Sequence, residues 1–181
     1  MKLHPDLEKI LIDEASIQQR VKEIAAEITR DYAGRSVLMI CTLRGAVMFF
    51  ADLVKYIDLD VRMDFIACSS YGAGTSSSGE VKIVKDISQP IAGLDVIVVE
   101  DIIDTGHTLK YLYNMLLNRG PASLKICSLL DKPERREVEL EGDYVGFKVP
   151  NEFVVGYGLD YNEKYRNLPM VGVLKPEVYA K

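Results

Sequence analysis

Positive charge is in short supply in this chain of 181 residues: 22 lysines and arginines stand against 27 aspartates and glutamates, a formal net charge of −5. A general nucleic-acid binder usually needs a basic face, so the balance argues against that class. A local phosphate site is not, because backbone N–H groups and a divalent cation supply positive potential without side chains. Cysteine is scarce as well. Cys41, Cys68 and Cys127 are odd in number, far apart and set in apolar runs, which predicts buried reduced thiols rather than a disulfide framework or metal cluster. No apolar run is long enough for a bilayer: the richest, 37–51, is interrupted by Arg44. The first residues include Lys2, Asp6, Glu8 and Lys9 in place of a secretory block, and the pattern reads as cytoplasmic, with no membrane partner. No internal repeat or long linker occurs. Gly72, Gly74 and Gly79 lack the spacing of a dinucleotide fingerprint, and there is no Gly-Lys-Ser/Thr phosphate loop.

What is present fits one ordinary globular domain, 48% apolar and 27% charged. Ile17, Val21, Ile24, Ala25 and Ile28 recur at helical spacing after Asp13 and Ser16, either of which can cap a helix, and the pattern stops near Gly34. Apolar runs at 37–41, 61–67, 94–99 and 124–130 suit buried strands. Between them, 47–54 predicts a helix with little polar face, covered by protein. Leu109, Leu112, Tyr113 and Leu116 predict another, ended by Gly120-Pro121. The segment 69–79, rich in serine and glycine, has almost nothing to bury and reads as a loop. Short runs at 144–147, 154–157 and 171–174 add strands. The alternation implies an α/β fold, a parallel sheet with helices on both faces. The chain is divided into a core over about 14–158 and a small hood from 1–13 and 159–181. Ligands in such a sheet bind beyond the carboxyl ends of the strands.

The most informative run lies at one such end: Val99-Glu100-Asp101-Ile102-Ile103-Asp104-Thr105-Gly106-His107-Thr108. A buried strand delivers two adjacent carboxylates, then turns into a helix. Thr105 and Thr108 offer hydroxyls, Gly106 lets the backbone approach a ligand, and the N–H groups of the new helix suit a phosphate monoester. Three carboxylates beside a phosphate make sense only if they hold diol hydroxyls, a cation or a proton in transit.

This run resembles the phosphoribosyl pyrophosphate signature of the type I phosphoribosyltransferases. The resemblance implies that Glu100 and Asp101 hold the ribose hydroxyls, directly or through Mg²⁺. It gives the 5-phosphate to Asp104, Thr105, Gly106, His107 and Thr108, with His107 acting through its N–H rather than its ring. Leu43-Arg44-Gly45 resembles the family's pyrophosphate loop, in which a non-proline cis peptide can precede the basic residue. Ser70-Tyr71 resembles the start of a loop that closes over the reaction.

The segments around Lys132, Phe153 to Glu163 and Tyr165 to Pro169 resemble the branch acting on hypoxanthine and guanine. Phe153 would stack on the base, Val154 would meet its edge, and Lys132, with donors only, would suit a 6-oxo group over adenine's amino group. Asp160 would hold a Mg²⁺ on pyrophosphate, and Arg166 would pair with pyrophosphate oxygens. Lys55, Arg62, Arg135 and Arg136 read as solvated charge. The implied partners are phosphoribosyl pyrophosphate and a purine base, with Mg²⁺ as cofactor, no nucleic acid, and a homodimer or homotetramer as the assembly. The reaction expected is transfer of the phosphoribosyl group to N9, with Asp104 taking the proton from N7. A xanthine or pyrimidine preference, or a nucleic-acid-binding regulator of the same fold, are the alternatives.

Overall fold

The computed structural model describes residues 3–70 and 81–180. β1 (Leu7–Ile12) leads to Asp13, whose carboxylate accepts the Ser16 N–H at 2.7 Å and so caps α1 (Glu14–Asp31). That bond satisfies one of the N–H groups a helix leaves orphaned at its start. The face of Ile17, Val21, Ile24, Ala25 and Ile28 is buried, as its spacing requires. β2 (Val37–Leu43) and α2 (Val47–Val54) follow. Expected to be covered all round, α2 instead buries Phe49, Phe50 and Leu53 and leaves Met48 39% exposed. It packs on α1 and the sheet and accepts a hydrogen bond from the Tyr157 hydroxyl at Asp52, and one side faces outward.

β3 (Val61–Ser70) runs further than its apolar core and takes Ser69 and Ser70 into the strand. Tyr71 and the rest of the expected loop to Gly79 lie outside the described residues. β4 (Val81–Lys85), a strand not anticipated, pairs antiparallel with β3. Then come β5 (Asp95–Ile103), α3 (His107–Leu117), β6 (Ser123–Asp131), β7 (Tyr144–Lys148), β8 (Val154–Val155), β9 (Val171–Leu174) and α4 (Pro176–Tyr179).

The main sheet has the order β4-β3-β2-β5-β6-β7 and is parallel except at β4. Alternation along its strands builds two apolar layers. Leu38, Ile40, Val96 and Val98 pack with Leu109, Leu112 and Leu116 of α3. Met39, Cys41, Ile97 and Val99 pack with α1 and α2 on the other face. A second sheet, β1-β9-β8, joins the two ends of the chain. Val154 and Val155 belong to this sheet, paired with Val173 and Gly172.

From β2 the chain moves to β3 on one side, while β5, β6 and β7 extend on the other. The order reverses between β2 and β5, and a crevice at such a reversal is where open α/β sheets bind ligands. The β2–β5 pairing ends at Cys41 and Val99, one residue before Glu100.

Candidate active site

Adjacent residues of a strand point to opposite faces, yet here the Glu100 carboxyl turns back onto the backbone of Asp101. The Thr42 hydroxyl lies 2.7 Å from Glu100 Oε1, and the Asp101 N–H donates to the same oxygen at 3.0 Å. Burial, and then the neighbouring Asp101 charge, hold Glu100 well above the usual carboxylate range. Burial raises Asp101 as well, against hydrogen bonds that lower it. Two carboxyls in this condition favour a cation or a diol as partner. Cys41, beside them, is pushed up to about 12 by burial and by their charges, which makes it inert at neutral pH.

Gly45 stands directly against Asp101: a Cβ there would collide with the carboxylate, and one on Gly158 would collide with the Gly45 carbonyl. Glycine is therefore required where the Leu43-Arg44-Gly45 turn, the acid pair and the hood meet. The Leu43–Arg44 peptide is cis.

After β5, Gly106 adopts φ +90° and starts α3, whose first N–H groups have no partners within the helix. The space its missing side chain leaves is taken by Val138 and the stem of Arg136 rather than left to a ligand. Close packing and left-handed backbone thus explain this glycine. The segment 132–139 braces the turn throughout. The Lys132 N–H donates to Ile103 C=O at 2.9 Å and the Glu137 N–H to Thr105 C=O at 3.0 Å. The His107 ring lies 2.8 Å from Glu137 Oε2, and Arg135 Nε donates to Asp104 Oδ1 at 2.9 Å. Arg136 pairs with Asp131. Arg136, largely covered in this pair, is not plain solvated charge, a correction to the reading from sequence, whereas Arg135 is exposed and pairs with Asp104 at the surface. Thr105 and Thr108 are both half-buried in this turn.

Beside the turn lies a cavity of 370 Å³ lined by Ile102, Asp104, Lys132, Phe153, Val154, Leu159, Asp160 and Tyr179, among others. The volume falls in the range of small-molecule sites. Lys132 is buried, its Nζ donating to Glu152 C=O at 2.7 Å, and burial lowers its pKa. Phe153 is 37% exposed at the cavity.

The arginines are already engaged. Arg44 NH1 donates to Glu163 Oε2 at 2.6 Å, and Arg166 NH2 lies 2.9 Å from Asp160 Oδ1 and 3.3 Å from Glu163 Oε1. Asp160 Oδ2 also accepts the Glu163 N–H at 2.9 Å. This loop carries Tyr157, Asn162, Glu163 and Tyr165 at positive φ, a strain that concentrates at working sites. Among the described residues no three potential ligands converge on one point. A Mg²⁺ at Glu100 and Asp101, or at Asp160, would draw its remaining oxygens from substrate, which suits an ion usually held by one or two carboxylates plus phosphate.

Thr42, Glu163 and Tyr179 were given no role from sequence, and Arg135 and Arg136 were read as solvated charge. Glu163 lay inside a quoted segment without a role. The rest owe their places to contacts distant in the chain or to turns that carry no periodic signal.

A model of the phosphoribosyl transferase domain matches residues 9–162. Over 179 residues the chain is 56% identical to a hypoxanthine-guanine phosphoribosyltransferase of Streptococcus thermophilus, covering 99% of each. A hypoxanthine phosphoribosyltransferase structure from Staphylococcus aureus matches with TM-score 0.95 and 50% identity, over 98% of this chain and 97% of that one. One from Trypanosoma cruzi matches with TM-score 0.94 and 46% identity, over 99% and 97%. With the acid pair, the braced turn and the lysine-and-phenylalanine cavity at one sheet edge, these likenesses establish that the chain belongs to the phosphoribosyltransferase family, in its hypoxanthine-guanine branch.

Proposed function

We propose that the chain works in purine salvage, transferring the 5-phosphoribosyl group of phosphoribosyl pyrophosphate to N9 of hypoxanthine or guanine. The products are IMP or GMP and pyrophosphate. The observation that carries this reading is the pair Glu100 and Asp101, half-buried and close together at the sheet reversal, next to a cavity lined by Asp104, Lys132 and Phe153.

Glu100 and Asp101 hold the ribose hydroxyls, and the turn from Asp104 to Thr108 holds the 5-phosphate at the start of α3. Glu100 and Asp101, or Asp160, together with donor oxygens would hold Mg²⁺, which would supply charge to offset that of the pyrophosphate. As the bond to pyrophosphate breaks, the sugar takes on oxocarbenium character, the electronic problem of glycoside cleavage. Asp104 accepts the N7 proton as N9 bonds to the sugar. Lys132 has three donors and one is taken by Glu152 C=O, leaving others for the 6-oxo group. The base lies on Phe153 with its edge toward Val154. Arg44 and Arg166 pass from Glu163 to pyrophosphate as it forms, adding charge-assisted hydrogen bonds.

The chain acts as one catalytic unit of core and hood, in the cytoplasm, as a homodimer or homotetramer. Among the described residues no helix is long and apolar enough to cross a membrane. The test incubates the pure protein with Mg²⁺ and donor and, separately, hypoxanthine, guanine, xanthine, adenine and uracil. Nucleotide is expected from the first two, and product from uracil alone would overturn the reading.

A further inference from the structure

Phe153 is sheltered on one side by the end of the chain. The Tyr179 ring stacks on it with centroids 4.7 Å apart and planes 20° from parallel, and Tyr161 meets it edge-on at 5.5 Å. The arrangement has a built support. The Leu174 N–H donates to Phe153 C=O at 2.8 Å, fixing Phe153 to β9 just before the chain turns into α4. Tyr161, Val178 and Tyr179 all pack on a small apolar cluster of Leu7, Val155, Tyr165 and Leu174.

A planar base could not enter between the two rings as they stand. Each stacked gap needs about 3.5 Å, so a ring on either side of a base requires roughly 7 Å between them. The remaining surface of Phe153, 37% exposed, borders the cavity that also holds Ile102, Lys132 and Asp104. On that assignment the base takes the open face of Phe153, and Tyr179, which itself borders the cavity, covers the other face of the phenyl ring.

We propose that Tyr179 is a positioning residue for purine binding: the chain's own C-terminal turn backs Phe153 and fixes its ring as a platform, completing a three-ring stack when the base arrives. This rests on the assignment of Phe153 to the base site. Edge and stacking contacts of this kind are directional, so losing Tyr179 frees Phe153 to rotate out of the stacking plane. The Tyr179 hydroxyl makes no hydrogen bond among the described residues, which leaves the ring as the working part.

The test measures KM for hypoxanthine, KM for phosphoribosyl pyrophosphate, kcat and melting temperature in Tyr179→Ala, Tyr179→Leu, Tyr179→Phe, Phe153→Leu and the Phe153→Leu/Tyr179→Ala double variant. Tyr179→Ala should raise the hypoxanthine KM about three- to tenfold, with donor KM and kcat within about twofold. Tyr179→Phe should restore the base KM and Tyr179→Leu should not. In the Phe153→Leu background, adding Tyr179→Ala should change the base KM by less than about twofold. If Phe153→Leu raises the base KM and Tyr179→Ala does not, the Tyr179 proposal fails and the base site stands. An unchanged KM in Phe153→Leu removes the base-site assignment itself. A lower base KM in Tyr179→Ala, or a parallel rise in both KM values with a fall in melting temperature, would also overturn the proposal.

Discussion

The two halves of the site are built differently. The donor half sits at the end of β5, where a parallel ladder pairs Glu100 with Ser128 and Ile102 with Leu130 and where Gly45 packs against the Asp101 carboxylate. The hood half, from Phe153 to Arg166, has a strand of only two residues, four non-glycine residues at positive φ and an exposed carboxylate, Glu163, paired with Arg166 and with Arg44 of the neighbouring turn. A deep, rigid frame suits the sugar, whose reacting carbon must not move. Ion pairs between exposed groups contribute little, about 0–1 kcal/mol each, so the hood's contacts can be exchanged for product and recovered.

Asp104 lies between these halves, and replacing it should have the largest effect. Asp104→Asn is expected to lower kcat by roughly 10²–10⁴-fold with KM values largely kept, the scale of a lost general base. Steady-state kinetics with hypoxanthine check it, and unchanged turnover would take Asp104 out of the proton path. Next comes the buried hood-side donor. Lys132→Ala should reduce the hypoxanthine-to-adenine ratio of kcat/KM roughly 10- to 100-fold, the scale of one charged hydrogen bond; an unaltered ratio would remove Lys132 from recognition of the 6-position.

The sequence disclosed the donor half more fully than the hood. Buried strands show as apolar runs, Asp13 and Ser16 mark the start of α1 without saying which of them caps it, and the acids stand out because nothing apolar explains them at a strand end. β4 went unread because its five residues follow a serine- and glycine-rich stretch and are only half-buried in alternation. Arg135 and Arg136 looked solvated because their partners, Asp104 and Asp131, are brought near by a turn at Pro133–Arg135 rather than by any period. Tyr179 had no pattern at all; its stacking partner lies 26 positions earlier and meets it only through β9. Gly106 was noticed for a ligand's approach, but Val138 and Arg136 fill the space beside it. Local patterns reveal what a segment buries, and topology decides which polar groups meet.

Smaller effects sharpen the contrast. Glu163→Gln removes the carboxylate that occupies Arg44 and Arg166, so pyrophosphate measured by calorimetry should bind about two- to fivefold tighter, the scale of weak exposed pairs. Weaker binding would show Glu163 to be an organiser of the arginines rather than their stand-in. In the donor half the signature is one of stability. Because Glu100 is held above the ordinary carboxylate value, the folded chain keeps a proton that the unfolded chain has released. That contribution favours folding below about pH 4 and is lost as pH rises through the raised pKa. Glu100→Gln should therefore melt on the order of 2–4 °C higher than the parent at pH 7, with the gap closing toward pH 4. A lower melting temperature across this range would contradict the burial argument.

Binding of phosphoribosyl pyrophosphate with Mg²⁺, titrated calorimetrically into the parent chain and into Glu100→Gln/Asp101→Asn, tests the central claim most directly. If the acid pair at the sheet reversal holds the donor sugar, the double variant binds it at least roughly tenfold more weakly while remaining folded. Equal affinity in the two proteins would contradict that claim.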